Sequence, residues 1–360
     1  MTDRSDGQKK LGRRDVLKGV AGLTFLTTGM APTIVSGASD ELVVNTMGGE
    51  LEAMFNAHII PQFEKKFGVK VHNDASGTSS EDYAKIRASR GSPGFDVACV
   101  LNGDQMNTGG NEGLLEKITE SNVPNIAHCW HQTQYGAYQC YQFNTLCYDP
   151  AHMDAPDSWA DYWMPGKRYG DKAKGKLLAW HPVNTLAVYT LIKGAQLAGG
   201  GQADMAPVWD LLEKQKPYQG AVARTSPEAI PLFEDGQITM FPYWNARASM
   251  YIAEGKRFKM VVPKEGGIVV SNGASVPIGA KNKKLAFEFV NFMLDKEQQR
   301  NFCLGYHISP ARKDIADWPQ WFVDSQITTQ AKMSSMEFPD SAIVSRDRPK
   351  WTLKWQEVMG

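Results

Sequence analysis

The chain has 360 residues, 42% of them hydrophobic and 22% charged, which is long enough for two ordinary domains and too apolar for a disordered polypeptide. Lys+Arg and Asp+Glu are equal at 39 each, so there is no basic field to gather nucleic acid or an anionic membrane surface. The longest apolar run, near the N-terminus, is broken by Gly and Thr before the roughly 20 residues that a membrane-spanning helix needs, so the protein reads as not integral to a membrane.

Residues 1–38 read as an export signal. Arg4, Lys9, Lys10, Arg13, Arg14 and Lys18 precede the weakly apolar segment Gly19–Met30, the charged-then-apolar order of such signals. Arg13-Arg14-Asp15-Val16-Leu17-Lys18 resembles the twin-arginine pattern, and Ser36-Gly37-Ala38 offers small residues for cleavage. The expected destination is the periplasm by the twin-arginine route. The remainder carries a net charge of about −3.

From Glu41 short β-branched runs alternate with segments of helical period, the pattern of α/β architecture with mainly parallel strands. Strands are expected at 42–45, 69–72 and 95–101, separated by helices over 50–67, with a kink or new start at Pro61, and over 80–90. A second block begins after Pro150, with strands at 176–180, 220–223 and 236–241 and helices over 185–197 and 206–214. Strands resume from Lys259 and run on to Ala280, followed by one long amphipathic helix over 284–302.

In open parallel sheets the C-terminal ends of the strands line the ligand crevice. The loops Thr46-Met47-Gly48-Gly49, Ala75-Ser76-Gly77-Thr78-Ser79 and Asn102-Gly103-Asp104 stand there, and Thr46, Gly48, Ser76, Thr78 and Asp104 are the candidate ligand residues. Glycine and hydroxyl residues at a helix start suit an anion or serve only to cap the helix.

Catalytic constellations are missing. The chain has no Gly-x-Ser-x-Gly elbow, His-Glu-x-x-His pair or Gly-x-Gly-x-x-Gly turn, and Gly170–Leu177 has Leu where a phosphate-binding loop needs Ser or Thr. The five cysteines, Cys99, Cys129, Cys140, Cys147 and Cys303, show no metal spacing; either one or two disulfides form, drawing first on Cys129, Cys140 and Cys147 and leaving at least one thiol free, or all five are buried thiols. No cofactor, metal or enzymatic activity is expected.

The order of several fragments carries a family resemblance: Phe63–Val71, Phe95-Asp96-Val97, Pro156-Asp157-Ser158-Trp159, Phe233–Gly236, Trp244-Asn245, Val262–Gly267, Gly279–Lys283, Phe289–Leu294 and Ser309-Pro310. Together they resemble the extracellular solute-binding proteins of ABC importers, in particular the spermidine/putrescine-binding-like members of the type II periplasmic binding proteins. The resemblance implies a two-lobed fold of two α/β domains with a central cleft and two hinge crossings, near 143–148 and 259–263. It implies lobe 1 at 39–143 with 264–320, lobe 2 at 144–263, and residues 321–360 as a C-terminal segment packed on the lobes. A small organic solute would be captured in the cleft and delivered by a monomer to a membrane permease and its ATPase.

Polyamine members sandwich the alkyl chain between aromatics and meet each ammonium with a carboxylate. The aromatic candidates here are Trp130, Tyr135, Tyr138, Trp180 and Trp244, with Trp244 and Asn245 in the family's ligand-facing Trp-Asn position. The stretch Ile268–Ala274 has no acid where polyamine binders carry one, nor does His181–Thr185, leaving Asp104 as the ammonium partner and Thr185 as a polar contact. Arg224, beside Thr225 and Ser226, suits a carboxylate, or pairs structurally with Glu228 or Asp235. The ligand is therefore expected to be a small amine-containing solute, polyamine-like or amino-acid-like. The rival readings are an exported transferase or lyase on a similar scaffold and a sensory binding protein.

Overall fold

The computed structural model describes residues 41–360, and the export signal read at 1–38 lies outside them. The first stretch runs β1 (Glu41–Met47), α1 (Glu50–Met54), α2 (Ile60–Phe67), β2 (Lys70–Gly77), α3 (Ser79–Ala88), β3 (Val97–Asn102), α4 (Gly103–Asn111) and the long β4 (Ala137–Tyr148). The helix expected over 50–67 is interrupted by a π turn at Phe55–Ile59. Pro61 sits in the first turn of α2, where its missing N–H costs nothing, and the wider turn before it absorbs the break.

The second stretch runs α5 (Trp159–Trp163), α6 (Gly166–Tyr169), β5 (Leu177–Trp180), α7 (Thr185–Leu197), α8 (Ala206–Gln215), β6 (Gln219–Ala223), α9 (Ser226–Glu234), β7 (Met240–Trp244), α10 (Asn245–Ala253) and β8 (Lys259–Val261). The strand expected at 236–241 starts later, because Gly236, at φ +72°, forms the turn that ends α9.

The chain closes with β9 (Val269–Ser275), α11 (Lys283–Met293), α12 (Lys296–Tyr306), β10 (Ser309–Pro310), α13 (Gln320–Ser325), α14 (Gln330–Ser334) and α15 (Ser341–Met359). The single helix expected over 284–302 is two helices. Asp295 takes an extended backbone and its side chain accepts the N–H of Glu297, capping α12 and breaking the run after Met293.

The strands follow the order β2-β1-β3-β9-β4-β7-β5-β6, with β8 and β10 also paired to β4. β1 is parallel to β2 and β3, and β5 is parallel to β6 and β7, while β4 and β9 run antiparallel to their neighbours. β4 joins two regions: residues 137–143 pair with β9 and residues 144–148 with β7. The apolar core divides at the same place. Tyr141 and Phe143 belong to a cluster with Phe63, Phe289 and Phe292, whereas Leu146 packs with Trp159, Leu191 and Ile192 and Cys147 with Phe233 and Phe241.

The chain passes between the two regions again from β8 to β9, and a third time before α15. In that last passage Glu337 bridges to Ile268, accepting the N–H of Val269 at 2.8 Å and donating its own to the carbonyl of Gly267 at 3.0 Å. Its carboxylate lies 3.3 Å from the ammonium of Lys193, which is 5% exposed, and accepts a bond from Gln196 at 2.6 Å. α15 then buries Trp351 and Trp355 against the second region.

Candidate functional site

The junction of the two regions encloses a cavity of about 210 Å³. Its walls are Met47 at the end of β1 and Leu51 in α1, Cys140 and Gln142 on β4, Trp244, Arg247 and Met250 around α10, Val270 and Asn272 on β9, and Phe302 and Tyr306 on α12. On β9 the period of two sorts the side chains: Val269, Ser271 and Gly273 are buried, while Val270 and Asn272 are half-buried and line the chamber.

The start of α10 is held by Asn245. Its carbonyl oxygen accepts the N–H of Phe143 at 2.8 Å, and its amide donates to Gln326 Oε1 at 2.7 Å and to the Ser325 carbonyl at 3.2 Å. With this buried side chain pinning the first turn, Trp244 and Arg247, three residues apart, come to the same chamber wall. The Trp244 indole also meets Tyr189 edge-on at 6.0 Å. Next to the chamber α12 ends on His307, a left-handed residue at φ 49° whose Nδ1 lies 3.0 Å from Ser249 Oγ of α10. Burial lowers the imidazole pKa, so the fold favours neutral His307.

All five cysteines are free thiols, and Cys140 is the one that is half-buried. Burial pushes the Cys140 thiol up to about 12 and the Cys99 thiol higher still, which leaves both as poor nucleophiles.

Of the residues expected from the sequence, Trp244 lies in the chamber wall and most of the others lie elsewhere. Thr46 is buried and donates to Asn73 Oδ1 at 2.8 Å. Gly48 lies against the second loop, where a Cβ would sit 3.3 Å from the Ala75 carbonyl. Ser76 is exposed and accepts from Lys85 at 3.3 Å, while Thr78 caps α3 in a reciprocal capping box with Glu81. Tyr135 packs its ring on Gly110, and Thr185 opens α7 and accepts from Arg348 at 3.4 Å. Trp180 is a core residue, stacked on Tyr243 and donating to the Pro242 carbonyl at 2.6 Å. Asp104 is half-buried in the first turn of α4, and burial together with the Asp340 carboxylate raises its pKa above the usual carboxylate value.

Arg224 lines a second cavity. This is a groove of about 480 Å³ at the edge strand β6, formed by His181, Val222, Arg224, Glu228, Trp355, Gln356 and the end of α15. The Glu228 carboxylate accepts the backbone N–H of Arg224 at 2.6 Å, which lowers the Glu228 pKa. Burial and the Arg224 charge lower the His181 pKa.

Among the chamber residues that the sequence did not single out for the site are Gln142, Arg247, Asn272 and Tyr306. Arg247 had a partial signal in its spacing of three residues from Trp244, while the anchoring of that turn by Asn245 is long-range. Tyr306 had none, because its position depends on the break between α11 and α12. Phe338, 37% exposed and edge-on to Tyr141 at 6.0 Å, and Asp340, near Asp104, arrive with the third passage of the chain.

An enclosed chamber at the junction of two α/β regions joined by crossing strands, walled by aromatic, amide and cationic side chains, defines a two-lobed solute-binding protein. Residues 58–329 match the family of bacterial extracellular solute-binding proteins, and the chain belongs to that family. The spermidine/putrescine-binding periplasmic protein of Escherichia coli (strain K12) is 26% identical over 272 residues, covering 69% of this chain and 72% of its own. The gamma-aminobutyric acid-binding protein of Pseudomonas aeruginosa is 26% identical over 325 residues, covering 84% and 86%. The structure of the spermidine/putrescine ABC transporter substrate-binding protein from Streptococcus pneumoniae superposes with a TM-score of 0.75 at 17% identity, covering 89% of this chain and all of that one. The family and these relatives are solute-binding proteins rather than enzymes. Among the described residues no helix is long and apolar enough to cross a membrane.

Proposed function

We propose that the protein is the periplasmic substrate-binding component of an ABC importer, capturing a small amine-containing organic solute and delivering it to a membrane permease and its ATPase. In this reading residues 1–38 direct export by the twin-arginine route, residues 39–143 with 264–320 and residues 144–263 are the two lobes, and the protein acts as a monomer. The observation that carries it is the 210 Å³ chamber, whose walls come from elements on both sides of the β4 crossing. A solute seated there touches both regions, so it stabilises whichever interlobe arrangement brings both walls against it. Trp244 and Tyr306 offer apolar faces to an alkyl chain, and Asn272 and Gln142 offer amide donors and acceptors. The relatives' polyamine and γ-aminobutyrate ligands support the choice of solute class.

A thermal-shift screen of the purified protein against diamines, polyamines, amino acids and ω-amino acids tests the reading. A ligand at about 100 times its dissociation constant adds roughly 2.7 kcal/mol to the native state, which raises the melting temperature by several degrees. A screen in which no amine-bearing solute shifts the transition counts against it.

A further inference from the structure

We infer that Arg247 makes the chamber a carboxylate-recognising site, so that the solute is an amine that also carries a carboxylate rather than a simple diamine. The inference rests on the chamber being the solute site, as proposed above, and adds the identity of one end of the solute.

Arg247 lies in the first turn of α10, on the wall shared with Trp244, and is half-buried there. Its position is set by Asn245, whose three hydrogen bonds tie that turn to β4 and to the end of α13. A pre-positioned guanidinium loses less freedom on binding than one on a mobile loop. It carries five N–H donors in a fixed fork, so it can serve a protein partner and a ligand oxygen at once. A carboxylate takes two of these donors in parallel, and partial enclosure strengthens that charge-assisted pair relative to open solvent. The N-terminal end of a nine-residue helix adds positive potential on the same side.

The neighbouring side chains fit a short chain between charged ends. Asn272 and Gln142 provide neutral polar contacts, and Trp244 and Tyr306 provide apolar surface. A diamine lodged with an ammonium at this wall would set like charge against like. Replacing that terminus by a carboxylate reverses the sign of the interaction without lengthening the ligand.

Putrescine and 4-aminobutyrate share a four-carbon spacing and differ at one terminus, which makes them matched probes for isothermal titration. They are flanked by α- and β-amino acids and by diamines of three and five carbons. The expected result is that the wild-type protein prefers amino carboxylates to the matched diamines by about tenfold or more. Arg247→Gln should lower amino-carboxylate affinity by about tenfold while moving diamine affinity by less than about threefold. Arg247→Lys, which keeps the charge but loses the fork, should fall between the two and preserve the order of preference. Circular dichroism and melting temperature establish that each variant is folded, and the wild-type preference is a test that needs no variant.

Diamines binding as tightly as, or more tightly than, amino carboxylates would overturn the inference and leave the proposed function standing. Equal losses for both classes in Arg247→Gln would overturn it as well, since the side chain would then act on the chamber's shape. If neither class binds, the solute-binding reading of the chamber fails and takes this inference with it.

Discussion

Two cavities of the protein each carry an arginine and a tryptophan in their lining, and the two places differ in what they are built from. Arg224 and Trp355 face an open groove of about 480 Å³ made by the ends of β5 and β6, the start of α9 and the last turns of α15. Arg247 and Trp244 face a chamber of about 210 Å³ whose walls come from α10 on one side of the β4 crossing and from β9, α12, the end of β1 and α1 on the other. Groove size and side-chain chemistry alone would favour the first. Binding there touches one region of the molecule and leaves the relation between the two unchanged, whereas binding in the chamber discriminates between their arrangements. For the proposed carrier, whose state a permease would read, the smaller cavity is the better placed.

The strongest perturbation of this comparison is at the third passage of the chain. Glu337→Leu leaves the Lys193 ammonium buried without its carboxylate and should destabilise the fold by about 2–3 kcal/mol, a loss visible in thermal or urea denaturation. Trp244→Ala comes next. It should weaken solute binding by about tenfold or more, roughly 1.4 kcal/mol, with the circular dichroism spectrum retained. Unchanged affinity in a direct titration would remove the indole from the site.

A smaller effect is expected of pH at His307, beside the chamber. His307 has a lowered pKa in the fold, so its contribution to stability is complete above the unfolded-state value near 6.5 and is lost as pH falls through the folded value. Its neighbours are Ser249 on α10, Glu254 at the end of that helix and the Trp321 ring at 4.6 Å. The melting temperature should therefore drop less between pH 7.5 and 5 in His307→Gln than in the wild type, by the equivalent of about 1 kcal/mol or less. Arg224→Ala should do the least, leaving amino-carboxylate affinity within about twofold of wild type. A selective loss of carboxylate ligands in that variant would move the solute to the groove and reverse the comparison.

Much of the architecture was legible because it follows from local pattern. The helix over 185–197 and the strands at β5 and β6 coincide with their expected spans to within about a residue or two. The stretches from Thr46 and from Ala75, expected as loops, are partly strand, since β1 runs to Met47 and β2 to Gly77, and there Thr46 bonds to Asn73 while Thr78 caps α3. Hydroxyl residues in such loops have a nearby backbone or side chain to satisfy, and local bonds take them first. For Arg247 only the spacing from Trp244 was legible, because nothing in its own neighbourhood shows that Asn245 will anchor the helix to β4.

The sequence by itself determined the α/β alternation, the order of elements and the absence of the common catalytic motifs, since periodicity, capping and turn chemistry act over a few residues. It also singled out Trp244, which lines the cavity, through the fixed spacing of a family pattern. The tertiary structure alone decided which side chains share a wall. Asn272, Tyr306, Arg247 and Met47 are separated by up to 259 positions in the chain, and the crossing of β4 between two cores brings them to one cavity. That convergence depends on strand register, on the break before Asp295 and on the bonds of one buried asparagine. These are long-range contacts, whose energies no short window of sequence displays.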